Sequence, residues 1–340
     1  MADTTVDLSL VIPLYNEEEV FAELLRRLCE FVNTLQTAPN NQARTVEVIL
    51  IDDGSHDATP RLIQEASATH SWIRGVIFSR NFGHQIAVTA GMQHTSGRAV
   101  AILDGDLQDP PEVILEFLQK MRAGYDVVYA IRTKRKENIL KRAAYAAFYR
   151  IMRALSTIPI PLDSGDFCLM SRRVVDEVNT MPERHRFIRG MRSWVGYQQI
   201  GHSYPRAART MGESKYSFSK LLKLAFDGIF TFSEKPLQWS TMMGMIVAAG
   251  SFLWGTFVIL WRIFGVPSSS IQGWATLAVG IMFLGGVQLI SIGILGEYIG
   301  RIHNEVKGRP MYVVKERCGF PQEAENSLAK VTQVMRGVAQ

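Results

Sequence analysis

The sequence predicts an α/β domain built on a mainly parallel sheet, followed by an interfacial helix and a two-helix transmembrane hairpin. Residues 8–132 alternate short β-branched runs with amphipathic stretches in βαβα order, the pattern that winds a parallel sheet with helices on both faces. Further on, Pro236 to Trp261 and Trp274 to Gly296 carry no charged side chain. Each exceeds the roughly 20 residues that cross a bilayer core. Between these regions, residues 216–235 mix apolar residues with lysines in the manner of a helix lying in a membrane interface.

Each element has its own signal. LSLVIPL (residues 8–14) is the first strand, and Glu17 to Leu35 follows with apolar residues at helical spacing. VEVILID (46–52) is the second strand, and DATPRLIQEASAT is a helix opened by Asp57. GVIFS (75–79) and HQIAVTAGMQHT form the third pair. AVAILD (99–104) is the fourth strand, and PPEVILEFLQKMRAG is a helix begun by proline and closed by glycine. DVVYAIR (126–132) is the fifth strand. The polar signatures YNEE, DDGS, SRN and DGD stand at strand ends, where sheets of this kind bind ligands.

The 340 residues have room for one large domain plus an appendage, and 47% hydrophobic against 20% charged is not the profile of a polytopic membrane protein. A pair of buried helices in a soluble core is the competing reading of the two apolar stretches. The N-terminus is acidic and lacks the basic-then-apolar pattern of a secretory signal. The connector Phe264 to Gly273 has no Lys or Arg, whereas Lys220, Lys223 and Lys235 precede the hairpin and Arg301, Lys307 and Arg309 follow it. Positive charge stays inside, so the α/β domain and both termini are expected on the cytoplasmic side of the inner membrane. Cys29, Cys168 and Cys318 lie far apart without metal-ligand spacing, which suits a reducing compartment.

A net charge of +5 is modest, but it clusters: Arg132, Lys134, Arg135, Lys136, Lys141 and Arg142 in one segment, Arg184, Arg186, Arg189 and Arg192 in another. No nucleic-acid reader motif accompanies them. Beside a membrane, anionic headgroups or a phosphorylated lipid are the partners that fit, with a solvated basic face as the bland alternative.

Asp104 and Asp106 are separated only by Gly105. Like charges this close repel, and a turn gains nothing from pairing them. A hard divalent cation, Mg²⁺ or Mn²⁺, takes carboxylate oxygens and shares its shell with substrate phosphates. Ordinary turn and cap chemistry is the competing reading of a lone pair of aspartates.

VIPLYNEE, LIDDGSHD, SRNFGH, DGDLQDPPE, SGDFCLM and GESKYS occur in this order, at spacings that resemble glycosyltransferase family two with its GT-A fold. The hairpin and LGGVQLISIGILGEYIGR resemble the polyisoprenyl-phosphate glycosyltransferase branch, which includes bactoprenol glucosyltransferases and, more distantly, dolichol-phosphate mannose synthase. The resemblance runs from about Asp7 to Val314. It implies a GT-A catalytic domain over 1–215, the interfacial helix over 216–235, transmembrane helices over 236–263 and 274–299, and a cytoplasmic tail over 300–340.

The resemblance also implies roles. Pro13, Tyr15 and Glu17 match the first nucleotide-binding motif; Asp53 matches the acceptor of a uracil hydrogen bond, with Asp52 as the second candidate. Asp104 and Asp106 match the metal-diphosphate site, completed by Gln108. Asp166 matches the catalytic carboxylate; spacing alone does not separate it from Asp163. The family often has Arg where this chain has Cys168, which puts any contact from that side chain in doubt. Arg132 is the candidate for phosphate binding, since a planar guanidinium suits phosphate. Arg209 and Lys215 resemble the loop that closes over the nucleotide, while Arg206, Lys134 and Arg135 divide between membrane contact and catalysis. Glu183 to Gly190 resembles an acceptor-side helix; His84 and His185 show no ligand spacing and read as ordinary polar residues.

The expected reaction is inverting transfer of one sugar, glucose first, from a UDP-sugar to polyprenyl (undecaprenyl) phosphate. UDP-N-acetylglucosamine, an aminoarabinose donor and GDP-mannose are the alternative donors. The acceptor phosphate is already mostly dianionic at pH 7, since its second pKa is about 6, so Asp166 is expected to orient more than to deprotonate. A processive synthase would need more spans and a QxxRW motif, and RSW at Arg192 to Trp194 is only a fragment. A non-catalytic membrane scaffold or channel would have no use for four acids at strand ends and loops. Glycines at 285, 286, 293, 296 and 300 in the second span allow close helix approach, with the ordinary glycine richness of transmembrane helices as the competing reading; the resemblance implies a homo-oligomer, with a tetramer as the candidate state.

Overall fold

LSLVIPL and VEVILID run nearly without a polar break, and both form strands with every residue buried: β1 (Leu8–Leu14) and β2 (Val46–Asp52). The computed structural model describes residues 6–37, 45–133, 164–184, 186–205, 235–264 and 273–320. The chain divides into two compact units, one of residues 1–149, 158–216 and 308–340, the other of residues 150–157 and 217–307.

In the first unit β1 and β2 are followed in the chain by β3 (Ile73–Phe78), β4 (Ala99–Ile102), β5 (Val127–Thr133), β6 (Ser164–Ser171), β7 (Gln199–Pro205) and β8 (Val314–Cys318). The sheet order is β7-β5-β6-β4-β1-β2-β3-β8. Pairs β4·β1, β1·β2, β2·β3 and β5·β7 are parallel. Pairs β4·β6, β5·β6 and β3·β8 are antiparallel. The parallel doubly wound plan is as expected, but the SGDFCLM motif is itself a strand, wedged antiparallel between β4 and β5.

Side chains alternate across this sheet with period two. Leu8, Leu10, Ile12 and Leu14 of β1 enter one core while Val11 enters the other; Ala99 and Ala101 of β4 and Phe167 and Leu169 of β6 go with the first, Val100, Ile102, Cys168 and Met170 with the second. The first face is covered by α1 (Glu18–Thr37), α2 (Thr59–Thr69) and α4 (Ile114–Arg122). The apolar stripe of α1 is Phe21, Leu24, Leu28, Phe31, Val32 and Leu35, all buried. The second face is covered by α3 (His84–Gln93), α5 (Arg172–Thr180) and α6 (Ile188–Trp194). A one-residue slip of any strand would exchange these faces, so the two cores fix the register.

Two differences from the sequence reading concern the C-terminal region. The second long helix runs past residue 299, and the stretch read as a tail contributes β8, which pairs with β3 and extends the sheet. Tyr312 stacks on Phe78 at 5.0 Å between ring centroids, and Gln64 donates to Glu316.

The second unit contains α7 (Lys235–Ile263) and α8 (Trp274–Val306), which pack on each other. Leu237–Phe257 and Val279–Val306 are long and apolar enough to cross a membrane. Large apolar side chains such as Phe252, Trp254, Met282 and Leu289 are exposed on them. Apolar surface on this scale marks a membrane or protein contact. Most of the expected interfacial helix, 216–234, lies outside the described residues.

Candidate active site

The carboxyl ends of β1 to β4 share one edge of the sheet, and the loops leaving them are knitted together. Asn16, held at a left-handed φ of 53°, accepts from His56 N–H through its side chain and donates its own N–H to Ser55 Oγ. Glu17 N–H donates to Thr59 Oγ1. These bonds fix the turn after β1 to the turn after β2. They leave the Tyr15 ring 43% exposed, beside buried Pro13 and half-buried Glu17.

Asp52 ends β2, Asp53 follows it, and both are buried. Asp52 accepts Ser55 N–H through both oxygens and closes its own turn. Asp53 accepts Phe82 N–H at 2.7 Å and Gly83 N–H at 3.0 Å, which pins the loop between β3 and α3. Its carboxylate is therefore engaged by the protein's own amides, a role that the sequence did not show. Gly54, at φ 70°, allows this approach: a Cβ there would lie 2.2 Å from the Arg80 carbonyl carbon.

The acidic loop after β4 approaches β1 just as closely. A Cβ on Gly105 would lie 2.4 Å from Leu14 Cδ2 and 3.3 Å from the Pro13 carbonyl oxygen, so the residue between the two aspartates is small for a steric reason. Asp106 Oδ1 accepts Gln108 N–H at 3.1 Å, which curls the loop, and Leu107 takes a left-handed φ of 58°. Asp104 differs from Asp106. Its Oδ1 is buried without a hydrogen-bond partner among the described residues. Burial pushes its pKa up to about 6 against the pull of His84, with Asp166, Asp109 and Asp106 adding to the rise.

Asp166, on β6, faces the same place. Arg189 of α6 meets it side-on, Nε to Oδ1 at 2.7 Å and Nη2 to Oδ2 at 3.2 Å. Gln85 of α3 donates Nε2 to Asp166 Oδ2 at 3.0 Å and accepts Ile188 N–H on its Oε1, so one side chain ties α3, β6 and the start of α6 together. Burial works to raise the Asp166 pKa, but the Arg189 guanidinium, with His84, holds it well below the usual carboxylate range. His84 stands between the two acids, its Nε2 3.7 Å from Asp104 Oδ1 and 3.5 Å from Asp166 Oδ2. Burial lowers its pKa, yet the contact with Asp166 and the charge of Asp104 leave it raised.

The structure thus brings Asp104 and Asp166 together around His84, and ties the loops that carry Pro13, Tyr15, Glu17, Asp52 and Asp53 along the same edge. Gln108 contributes its backbone to the loop, and its side chain is half-buried. Arg132 lies near the C-terminal end of β5 in register with Tyr204. Its side chain, and all of Arg209 and Lys215, lie outside the described residues. His84 corrects the sequence reading: with no ligand spacing it read as an ordinary polar residue, and it is at the centre of the site. Gln85 and Arg189 were not singled out; the available signals were SRNFGHQ and the run of arginines from Arg184 to Arg192. Cys168 lies against the buried Arg192 guanidinium, which α6 brings to the strand from outside.

A divalent cation fits this arrangement on one specific ground, the buried, unpartnered Oδ1 of Asp104 in a loop with a second acid. Among the described residues no group of three His, Cys, Asp or Glu side chains is arranged to hold a metal ion, so the remaining ligands would be substrate oxygens and water.

Residues 9–178 match the Glycosyl transferase family 2 sequence family. The chain is 44% identical over 316 residues to YkcC, an uncharacterized glycosyltransferase of Bacillus subtilis, covering 93% of this chain and 95% of the relative. It is 43% identical over 311 residues to the bactoprenol glucosyl transferase of Shigella phage SfII, covering 91% of this chain and 97% of that protein. Among solved structures, glucosyl-3-phosphoglycerate synthase of Mycobacterium tuberculosis in complex with UDP is 18% identical with a TM-score of 0.42, covering 66% of this chain and 78% of the other.

Proposed function

Because the chain belongs to glycosyl transferase family 2, we propose that it moves one glucosyl residue from UDP-glucose to a polyprenyl phosphate carrier at a membrane. Support comes from relatives named bactoprenol glucosyl transferases at 41–43% identity over about nine-tenths of the chain, and from two helices able to span a bilayer. The observation that carries the chemistry is the pairing around His84 of Asp104, whose Oδ1 has no hydrogen-bond partner among the described residues, with Asp166, which is paired to Arg189.

Asp104 and Asp106 are the residues for Mg²⁺ or Mn²⁺, which when bound neutralises the diphosphate of the leaving nucleotide. Tyr15 offers an exposed aromatic face to the base. A phosphate oxygen of the carrier attacks the anomeric carbon, and the bond from that carbon to the diphosphate breaks with its electron pair leaving on UDP. A single displacement inverts the centre, so an α-linked donor gives a β-linked product. The attacking phosphate needs little deprotonation at neutral pH. Asp166, held as an anion by Arg189, therefore orients rather than accepts a proton. In the cell this chain works at the cytoplasmic face of the inner membrane, with both termini inside, as a homo-oligomer.

Incubation of the purified chain with undecaprenyl phosphate and a panel of radiolabelled nucleotide sugars tests the reading. Label from UDP-glucose is expected in the lipid extract, and EDTA is expected to abolish it. Label drawn preferentially from UDP-N-acetylglucosamine, an aminoarabinose donor or GDP-mannose would correct the sugar. No label from any donor would overturn the reaction.

A further inference from the structure

His84 is the first residue of α3, and the protein holds the chain on both sides of it. Gly83, at φ 105°, and Phe82 before it both donate their N–H groups to Asp53. Gln85, which follows, donates to Asp166 and accepts Ile188 N–H. The imidazole therefore starts from a fixed stretch of backbone, as a substrate contact requires. Its Nε2 lies 3.7 Å from Asp104 Oδ1 and 3.5 Å from Asp166 Oδ2, too far for a strong hydrogen bond to either. The side chain is 45% exposed, against 24% for Asp104 and 9% for Asp166, so it is the most open of the three. Carboxylates accept, and a ring nitrogen turned toward them carries a proton, so the row reads acceptor, donor, acceptor. Its Asp104 oxygen is buried with no hydrogen-bond partner among the described residues.

From this placement we infer that His84 is a sugar-contacting residue whose Nε2–H donates to a hydroxyl of the transferred pyranose, an inference that rests on the reaction read above. In that reaction Asp104 belongs to the side of the leaving diphosphate and Asp166 to the side of the acceptor. A single displacement puts the anomeric carbon between the entering and leaving oxygens. The side chain standing between the two acids therefore faces the ring in transit. A hydroxyl both donates and accepts, so one sugar hydroxyl can accept from His84 while it donates to a carboxylate. An acceptor phosphate oxygen bonds to the anomeric carbon, the carbon–oxygen bond to the diphosphate breaks, and UDP keeps the electron pair. His84 neither gains nor loses a proton in this step; it holds the ring that is being moved.

Calorimetric titration of the full chain in detergent or nanodiscs tests the inference, with Mn²⁺ present, no lipid acceptor, and UDP and UDP-glucose added in separate runs. UDP carries the base and the diphosphate without the sugar, so the pair isolates the ring. His84→Ala is expected to weaken UDP-glucose by about fivefold or more, the loss of one hydrogen bond that leaves its partner unpaired, and to leave UDP within about twofold. His84→Gln, which keeps a side-chain N–H donor, is expected to fall between wild type and His84→Ala for UDP-glucose. Retained UDP binding also shows that the variant is folded. Equal weakening of both ligands in His84→Ala would overturn the inference and leave His84 as a support for Asp104 alone. Unchanged binding of both would overturn it too, as would a wild-type chain that binds neither. Should the wild type bind UDP-glucose yet label no undecaprenyl phosphate, the reading of the reaction fails by itself, and the two titrations still decide whether His84 touches the sugar.

Discussion

Asp104 and Asp166 stand on either side of one imidazole and differ in almost every electrostatic respect. Asp104 has an unpartnered buried oxygen and a pKa pushed up to about 6, chiefly by burial. Asp166 is at least as enclosed, yet Arg189 and His84 hold it ionised far below the usual range. Folding has given one acid a guanidinium and left the other with the shared imidazole. The difference separates two tasks: an acid bonded to a fixed guanidinium can orient a substrate, while an acid with an unpartnered buried oxygen is poised to take a cation from solution.

The largest effect comes from removing the acidic pair of the loop after β4. Asp104→Ala with Asp106→Ala is expected to lower kcat/KM by about a thousandfold, as loss of charge neutralisation at a leaving diphosphate implies, measured as label entering the lipid. Breaking the compensated acid strikes stability instead. Asp166→Asn leaves Arg189 facing a neutral amide and is expected to cost about 2–3 kcal/mol in denaturant melts, less than a fully buried pair because Arg189 is part-exposed.

Asp104→Asn should act in the opposite direction on stability while still impairing transfer. In EDTA at pH 7 it is expected to stabilise by about 1–2 kcal/mol, allowing for the part-exposed side chain. The sign follows from linkage: the folded pKa lies above the unfolded one, so the wild-type acid loses stability as pH rises from the unfolded value through about 6. The gain from Asp104→Asn should therefore vanish at low pH, and thermal melts at pH 4 and pH 7 check it. The smallest effect is steric. Gly105→Ala must displace Leu14 Cδ2, the end of a flexible side chain, and is expected to cost about 1 kcal/mol with a modest loss of activity.

Much of the parallel half of the sheet was legible. Strands β1 to β4 are apolar runs buried on both faces, and such runs announce themselves without any knowledge of their neighbours. The antiparallel additions were harder. SGDFCLM read as a motif rather than as β6, and QIGHSYP and VKERC gave no strand signal. β8 is an edge strand with exposed Lys315 and Glu316, and its pairing with β3 depends on a chain segment more than 200 residues away. His84 was invisible as a site residue and Arg189 legible only as one of a basic run in the expected acceptor-side helix, for the same reason: neither lies near Asp166 in sequence, and no spacing rule connects α3, β6 and α6.

Composition and local pattern by themselves determined the βαβα order, the two membrane-length helices and the presence of a paired acid at a strand end, because burial on two faces, span length and like-charge crowding are properties of short stretches. Tertiary structure alone decided which acid received a counter-charge, that Asp53 spends its carboxylate on the loop before α3, and that a histidine joins the two acids. Those outcomes depend on distances between elements that only the packed sheet brings within a few ångströms of one another.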